Sequence, residues 1–393
     1  MGNGLADAIS SAQEYMAGRP VDGWLLYDYR GMNAVFWDTV GPISNVTRPC
    51  WLWVPKGGQA RFLVGFVDQG RFGRLGVPVI LFRGRENMVS ELRAMLAGAV
   101  RVAMEYSPMA ELPRASRVDA GIVELVRSLG VEVVSSADIF QHATQRWTEP
   151  QLQSHLEAAR HLSAIVHEAF DCIGVNLGTG VTEHDVADFI RKRFGEVGLE
   201  VTDGPIVAVN DHASDPHFEP TPENARQIKR GDWVLIDLWA RMAGEDTMYS
   251  DITWTAYVGD RVPERHRKVF EAVIGARDAA VDAIAAAFQA GRPVQGWELD
   301  RVARDYIDRA GYGKYFNHRL GHSLGREVHG NAVNLDSWET RDTRFLLPGL
   351  AVTAEPGIYL PEFGVRSEID IYITEKDPQI TTDVQHDVVL ISG

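Results

Sequence analysis

At 393 residues the chain is too long for one ordinary hydrophobic core and implies two or three domains. Its 45% apolar and 24% charged residues are those of a soluble globular protein, and a net charge of −15 makes nucleic acid or anionic lipid an unexpected partner. Two cysteines, Cys50 and Cys172, exclude a disulfide framework and a thiolate zinc site. With no signal-like leader and no apolar run of membrane length, a cytoplasmic protein is expected.

In chain order, apolar runs of strand length occupy 24–27, 50–54, 61–64, 79–82 and 102–104, separated by turn formers such as Pro55-Lys56-Gly57-Gly58. Helical spacing fits 88–98 and 117–129, so residues 1–146 read as a small α/β domain. Trp24, Trp37, Trp51 and Trp53 fall here, chiefly as core, with an interface or a substrate role as the alternative use. Thr148-Glu149-Pro150-Gln151 then forms a capping box opening a helix to about 173, and Thr182-Glu183-His184-Asp185 opens a second. An Ala-rich helix at about 263–290, another at 298–310 and late strands at 350–359 and 364–374 complete an α+β domain over 147–393.

Acids interrupt the strand-like runs of this second domain. Asp237 lies within Trp233–Trp239, and Asp251 follows fourteen residues later in Tyr249–Thr255. A hairpin turning at Gly244 would make the two a direct cross-strand pair. Glu355 and Glu368 repeat the pattern about a midpoint between Pro361 and Glu362. Arg366 offers one local way to neutralise Glu368, but two such hairpins in one domain favour a shared cation. A buried unpaired carboxylate is very costly.

Three of the chain's twelve histidines, His318, His322 and His329, fall in one twelve-residue block interleaved with Gly321 and Gly325. Four carboxylates and an imidazole are a hard donor set suited to manganese, cobalt, iron or zinc. Two such ions about 3.5–4 Å apart polarise a carbonyl and hold a bridging hydroxide as nucleophile.

The order Asp237, Asp251, His322, Glu355, Glu368, with the block His318-x-x-Gly321-His322-x-x-Gly325-x-x-x-His329, resembles the M24 metallopeptidases of pita-bread fold. It is most similar to their Xaa-Pro aminopeptidase and prolidase branch, which carries a creatinase-type N-terminal domain. The resemblance implies a C-terminal pita-bread domain holding two divalent ions, manganese foremost, with cobalt, zinc or iron as alternatives. Asp237 would bind one ion, Asp251 and Glu368 would bridge both, and His322 and Glu355 would complete the second site. Glu355 would also accept the proton of the attacking water. His217 and His329 would act on the substrate as catalytic histidines, while His318, Trp254 and Arg366 would line the substrate site. The implied reaction is cleavage of Xaa-Pro bonds in short peptides by a metal-bridging hydroxide, in a homodimer. Another small amide as substrate, or a non-catalytic pita-bread binding protein, are the alternatives. Four positions depart from the family pattern: Trp239 for glycine, Trp254 for arginine, and Gly330 and Ile369 for acids.

Overall fold

The apolar runs of the first unit become β1 (Gly23–Asp28), β2 (Cys50–Pro55), β3 (Arg61–Gly65), β4 (Val79–Phe82), β5 (Arg101–Met104) and β6 (Glu132–Ser135). They form one mixed sheet of order β4-β3-β2-β1-β5-β6, in which β1 to β3 are an antiparallel meander and β4, β5 and β6 join in parallel. The structure is a computed structural model describing residues 4–392, and it divides into the units Met1–Arg146 and Trp147–Gly393. Helices Leu5–Met16 and Ala34–Val40, not expected from periodicity, flank the predicted ones at Arg85–Met95 and Ala120–Ser128. Asp119 caps the last of these, accepting the N–H of Ile122 at 3.1 Å.

Trp24 and Trp51 are fully buried, Trp53 nearly so, and Trp37 is half-buried. The tryptophans therefore serve this unit's core, and the aromatic interface surface considered above shrinks to Trp37. Gly23 is required at its place, because a Cβ there would stand 2.3 Å from the Trp53 ring.

The second unit opens with both expected capping boxes, on helices Glu149–Asn176 and Glu183–Val197. Its strands are β7 (Leu199–Glu200), β8 (Ile206–Val209), β9 (Trp233–Met242), β10 (Ser250–Val258), β11 (Ser323–Leu324), β12 (Ala351–Ala354), β13 (Gly357–Leu360), β14 (Phe363–Arg366), β15 (Ile369–Ile373), β16 (Pro378–Ile380) and β17 (Val389–Ile391). One sheet runs β17-β10-β9-β7 with β8 also on β9; another runs β11-β12-β15-β16; β13 and β14 form a ribbon. Each larger sheet turns an apolar face to a pair of helices, as the period of two requires. Val234, Ile236 and Leu238 of β9 with Ile252, Trp254 and Ala256 of β10 pack on the two helices named above. Val352, Ala354, Ile369 and Ile371 pack with helices Glu264–Gln289 and Gly296–Arg309. The intervening residues, including Asp237, Asp251, Thr253, Thr353 and Asp370, belong to the opposite faces. No helix among the described residues is long and apolar enough to cross a membrane.

Two strand expectations are corrected. Asp237 pairs with Thr253 and Asp251 with Trp239, so the two acids are diagonal neighbours, not a direct pair. The connection is a wider loop than a tight turn at Gly244: Thr247 Oγ1 donates to Met242 O at 2.6 Å, and the Tyr249 N–H leaves the hairpin for Gly325 O at 2.9 Å. A register shift of two keeps both side chains on one face, which a shift of one would not. The late strands are each broken in two, β12 from β13 at Glu355-Pro356 and β14 from β15 at Ser367-Glu368. Pro356 has no N–H to give a ladder.

Candidate metal centre

The break in the late strands positions two acids. Ala354 pairs with Ile369 on one side of it and Gly357 with Arg366 on the other, so Glu355 and Glu368 stand opposite each other where neither ladder continues. The turn falls at Pro361-Glu362, between the paired Leu360 and Phe363. Facing them across the site, β10 contributes Asp251, and the Glu368 N–H donates to Thr253 O at 3.2 Å, tying the two strands together. His322 enters just before β11, its N–H donating to Thr353 Oγ1 at 3.0 Å. That hydroxyl also donates to Glu355 Oε1 at 3.4 Å. Gly321 is forced by the same approach, since a Cβ there would lie 2.1 Å from Thr353 O.

These supports bring the acids and the imidazole together. Asp251, His322 and Glu368 offer ligand atoms all within 4.8 Å of one another, and all three residues are buried. His322 Nε2 lies 3.5 Å from Glu355 Oε1 and 3.7 Å from Asp251 Oδ2. Its Nδ1 lies 3.2 Å from the Ser323 carbonyl, which fixes that nitrogen as the donor and Nε2 as the lone-pair nitrogen facing the acids. Asp237 is joined through Arg366, whose Nη2 donates to Asp237 Oδ2 at 2.5 Å and whose Nε donates to Thr253 Oγ1 at 3.1 Å. Thr253 Oγ1 in turn donates to Glu368 Oε2 at 2.8 Å.

Burial and mutual repulsion set the electrostatics. Desolvation, then the neighbouring acids led by Glu368, hold the Asp251 carboxyl well above its usual range, and the same causes act on Glu368. Desolvation pushes Glu355 up to about 7 despite the opposing charges of Arg366 and Arg319. Behind them, Asp370 is pushed by burial up to about 8 while accepting Ser250 Oγ at 2.7 Å and the Asp251 N–H at 3.0 Å. So dense a set of buried acids requires protons or cations between them. Asp237 Oδ1 and Asp251 Oδ1 are buried acceptors without a hydrogen-bond partner. Orphaned carboxylate oxygens beside an imidazole lone pair are a donor set that fits divalent cations.

The other sequence-derived residues divide. His318 is half-buried, its Nδ1 donating to Arg319 O at 2.6 Å and its Nε2 accepting from Tyr359 OH at 2.8 Å. Tyr359 OH accepts from Arg366 Nη1 at 3.0 Å, and burial with the Arg366 charge pushes the His318 pKa down to about 3. His329 is exposed, with its ring centroid 4.4 Å from that of His322. His217 is exposed in a turn after residues 210–214, its backbone N–H donating to Asp215.

One expectation fails. Trp254 does not line the site: it is on the helix-facing side of β10, 7% exposed, with its ring 4.7 Å from His167. Three residues from Asp251, it must point the other way on a strand. Arg366 is in the site, bound to Asp237, Thr253 and Tyr359. Sequence reasoning missed the supporting Thr253, Thr353, Tyr359 and Asp370. Three of these lie two positions from an identified acid, and strand alternation was the available signal.

Paired helices on two half-sheets, with acids and a histidine on the inner faces, define a pita-bread metalloprotein. The model of metallopeptidase family M24 matches residues 154–375, and the chain belongs to that family. It is 32% identical over 261 residues to an uncharacterized peptidase of Staphylococcus haemolyticus, covering 66% of this chain and 69% of that one. In structure it is similar to dipeptidase PepE from Mycobacterium ulcerans, with TM-score 0.69, 23% identity and coverage of 99% of this chain and 98% of that one. It is also similar to an Xaa-Pro dipeptidase from Bacillus anthracis, with TM-score 0.62, 22% identity and coverage of 98% and 99%.

Proposed function

We propose that the chain is a metal-dependent exopeptidase that hydrolyses the Xaa-Pro bond of short peptides with two divalent ions, manganese foremost. The observation that carries this reading is the convergence of Asp251, His322 and Glu368, with Glu355 and Asp237 beside them and two orphaned carboxylate oxygens. Divalent ions bound there supply Lewis acidity toward a peptide carbonyl and acidify water. In this reading Asp237, Asp251, His322, Glu355 and Glu368 would hold the ions. Glu355, placed beside His322, would take up the proton of the attacking water and return it to the leaving amine. His318, held neutral, presents a rim that accepts a proline ring, and His217 and His329 approach the substrate from exposed positions. The fold shared with proteins named dipeptidase and Xaa-Pro dipeptidase supports the substrate class.

The departure at Trp254 bears little on that class, because a side chain at position 254 faces the helices. Gly330 does favour a second reading, another small amide. A Cβ there would lie 3.0 Å from the Leu324 backbone, tighter than an ordinary contact, so a side chain at that position requires its neighbours to give slightly. Elemental analysis of the purified chain, followed by a panel of Xaa-Pro and proline-free dipeptides, tests both. Two metal equivalents and Xaa-Pro cleavage abolished by chelator are expected. Cleavage of proline-free amides alone selects the second reading, and a chain that binds no metal removes both. A homodimer belongs to the proposal, and a monomer by light scattering would remove that part.

A further inference from the structure

The acidity of this chain is confined to one of its two units. Residues 1–146 carry 15 Lys+Arg and 14 Asp+Glu, whereas residues 147–393 carry 24 and 40. Within the first unit, positions 48–85 hold seven Lys or Arg and a single acid, Asp68. Asp68 is buried and already engaged: Oδ2 accepts the backbone N–H of Arg48 at 3.0 Å, and Oδ1 lies 3.6 Å from Arg71. The stretch therefore has no internal acid left to balance its charge.

Three of these arginines, Arg48, Arg83 and Arg85, rim a cavity of about 500 Å³. Among the described residues none of the three pairs with a carboxylate, and the guanidinium of Arg48 bonds only to Thr47. The floor is apolar, with Phe82 7% and Met88 5% exposed. The Phe66 ring forms a wall, 46% exposed, with the Arg83 guanidinium 3.8 Å above its centroid. Gly65 admits the stem of Arg48, since a Cβ there would stand 3.0 Å from Arg48 Cβ. The cavity lies at the carboxyl ends of the parallel pair β3 and β4, at one edge of the sheet.

We propose that this cavity binds a small organic anion that joins at least two negative charges to a flat ring, the chemistry of a nucleoside diphosphate. Unpaired guanidinium forks match phosphate oxygens. The face of Phe66 that Arg83 does not cover would take the ring, and the volume is that of a small-ligand site. The basic rim concentrates anions that the other unit's charge repels. The proposal is independent of the peptidase reading.

Calorimetric titration of the full chain with ADP, adenosine and inorganic pyrophosphate tests it at low and high salt. ADP is expected to bind more tightly than either fragment, and more weakly as salt rises. Arg83→Ser with Arg85→Ser is expected to weaken ADP at least about tenfold, with the unfolding temperature unchanged. Should that double variant fold poorly, Arg48→Ser alone supplies the same reading from a different segment. ADP no tighter than pyrophosphate overturns the ring contact. Equal ADP affinity in the variants, or no ADP binding at millimolar concentration, overturns the site. Tight binding of an acidic peptide with none of ADP would assign the surface to a protein partner and overturn the small-ligand proposal.

Discussion

Arg366 Nη2 lies 2.5 Å from Asp237 Oδ2, and with side-chain exposures of 4% and 11% the pair forms a buried ion pair. It is a buried, fixed positive charge among the acids of the site. Arg366→Met leaves the Asp237 carboxylate buried without its cation, so chelator-treated protein is expected to lose about 3–5 kcal/mol of stability. Urea unfolding measures this; a loss below about 1 kcal/mol would mean that Asp237 is neutralised elsewhere.

Asp251→Ala and Glu368→Ala are expected to lower kcat by more than about 100-fold and to reduce bound metal, because each removes an oxygen from the converging set. His318→Ala is expected to keep its metal and part of its activity, since His318 contacts Tyr359 and Arg319 and none of the proposed ligands. Kinetics read beside elemental analysis separate the two outcomes. Full metal and full kcat in Glu368→Ala would sink the proposed ligand set.

In the first unit, Glu105 is buried and accepts from Trp24 Nε1 at 2.7 Å, Asn33 Nδ2 at 2.9 Å and Ser136 Oγ at 3.1 Å. Desolvation outweighs these bonds and pushes its carboxyl from 4.5 up to about 7. Below 4.5 both folded and unfolded chains hold the proton; between 4.5 and about 7 only the folded chain does. Stability is therefore expected to fall as pH rises through that window, by about 3 kcal/mol in all. Glu105→Gln should flatten that part of the profile in urea unfolding between pH 5 and pH 8. An unchanged slope would assign it to other groups.

Trp254→Phe is expected to leave the ratio of kcat/KM between Xaa-Pro substrates unchanged, because the side chain lies among core residues on the far side of β10. Trp254→Ala should cost about 3–5 kcal/mol of stability as a core truncation. A changed substrate ratio in the Phe variant, with stability intact, would return position 254 to the substrate site.

Much of the site was legible because acids embedded in apolar strand runs are conspicuous and costly. Glu355 and Glu368 could be placed opposite each other from the chain alone, since their ribbon closes in a two-residue turn that sets the register. Asp237 and Asp251 could not, because the segment after their turn is drawn away by Tyr249 N–H bonding to Gly325, a contact remote in sequence. Trp254 was misplaced through neglect of strand alternation, which needs no structure to apply. The helix Ala34–Val40 was hidden by its shortness, being only 7 residues. The role of Arg366 was legible only in part: its side chain reaches Asp237, 129 positions away in sequence, rather than its neighbour Glu368.

The broken ladder around Glu355 and Glu368 separates the loop at Pro361-Glu362 from the two acids on either side of it in sequence. Register is secured beyond the break by Ala354 with Ile369 and again within the ribbon by Gly357 with Arg366. Extra residues inserted between Leu360 and Phe363 would leave both anchors where they are. The tip of this ribbon is thus a position at which the chain can acquire new recognition elements by lengthening, while the chemistry at its base is inherited unchanged.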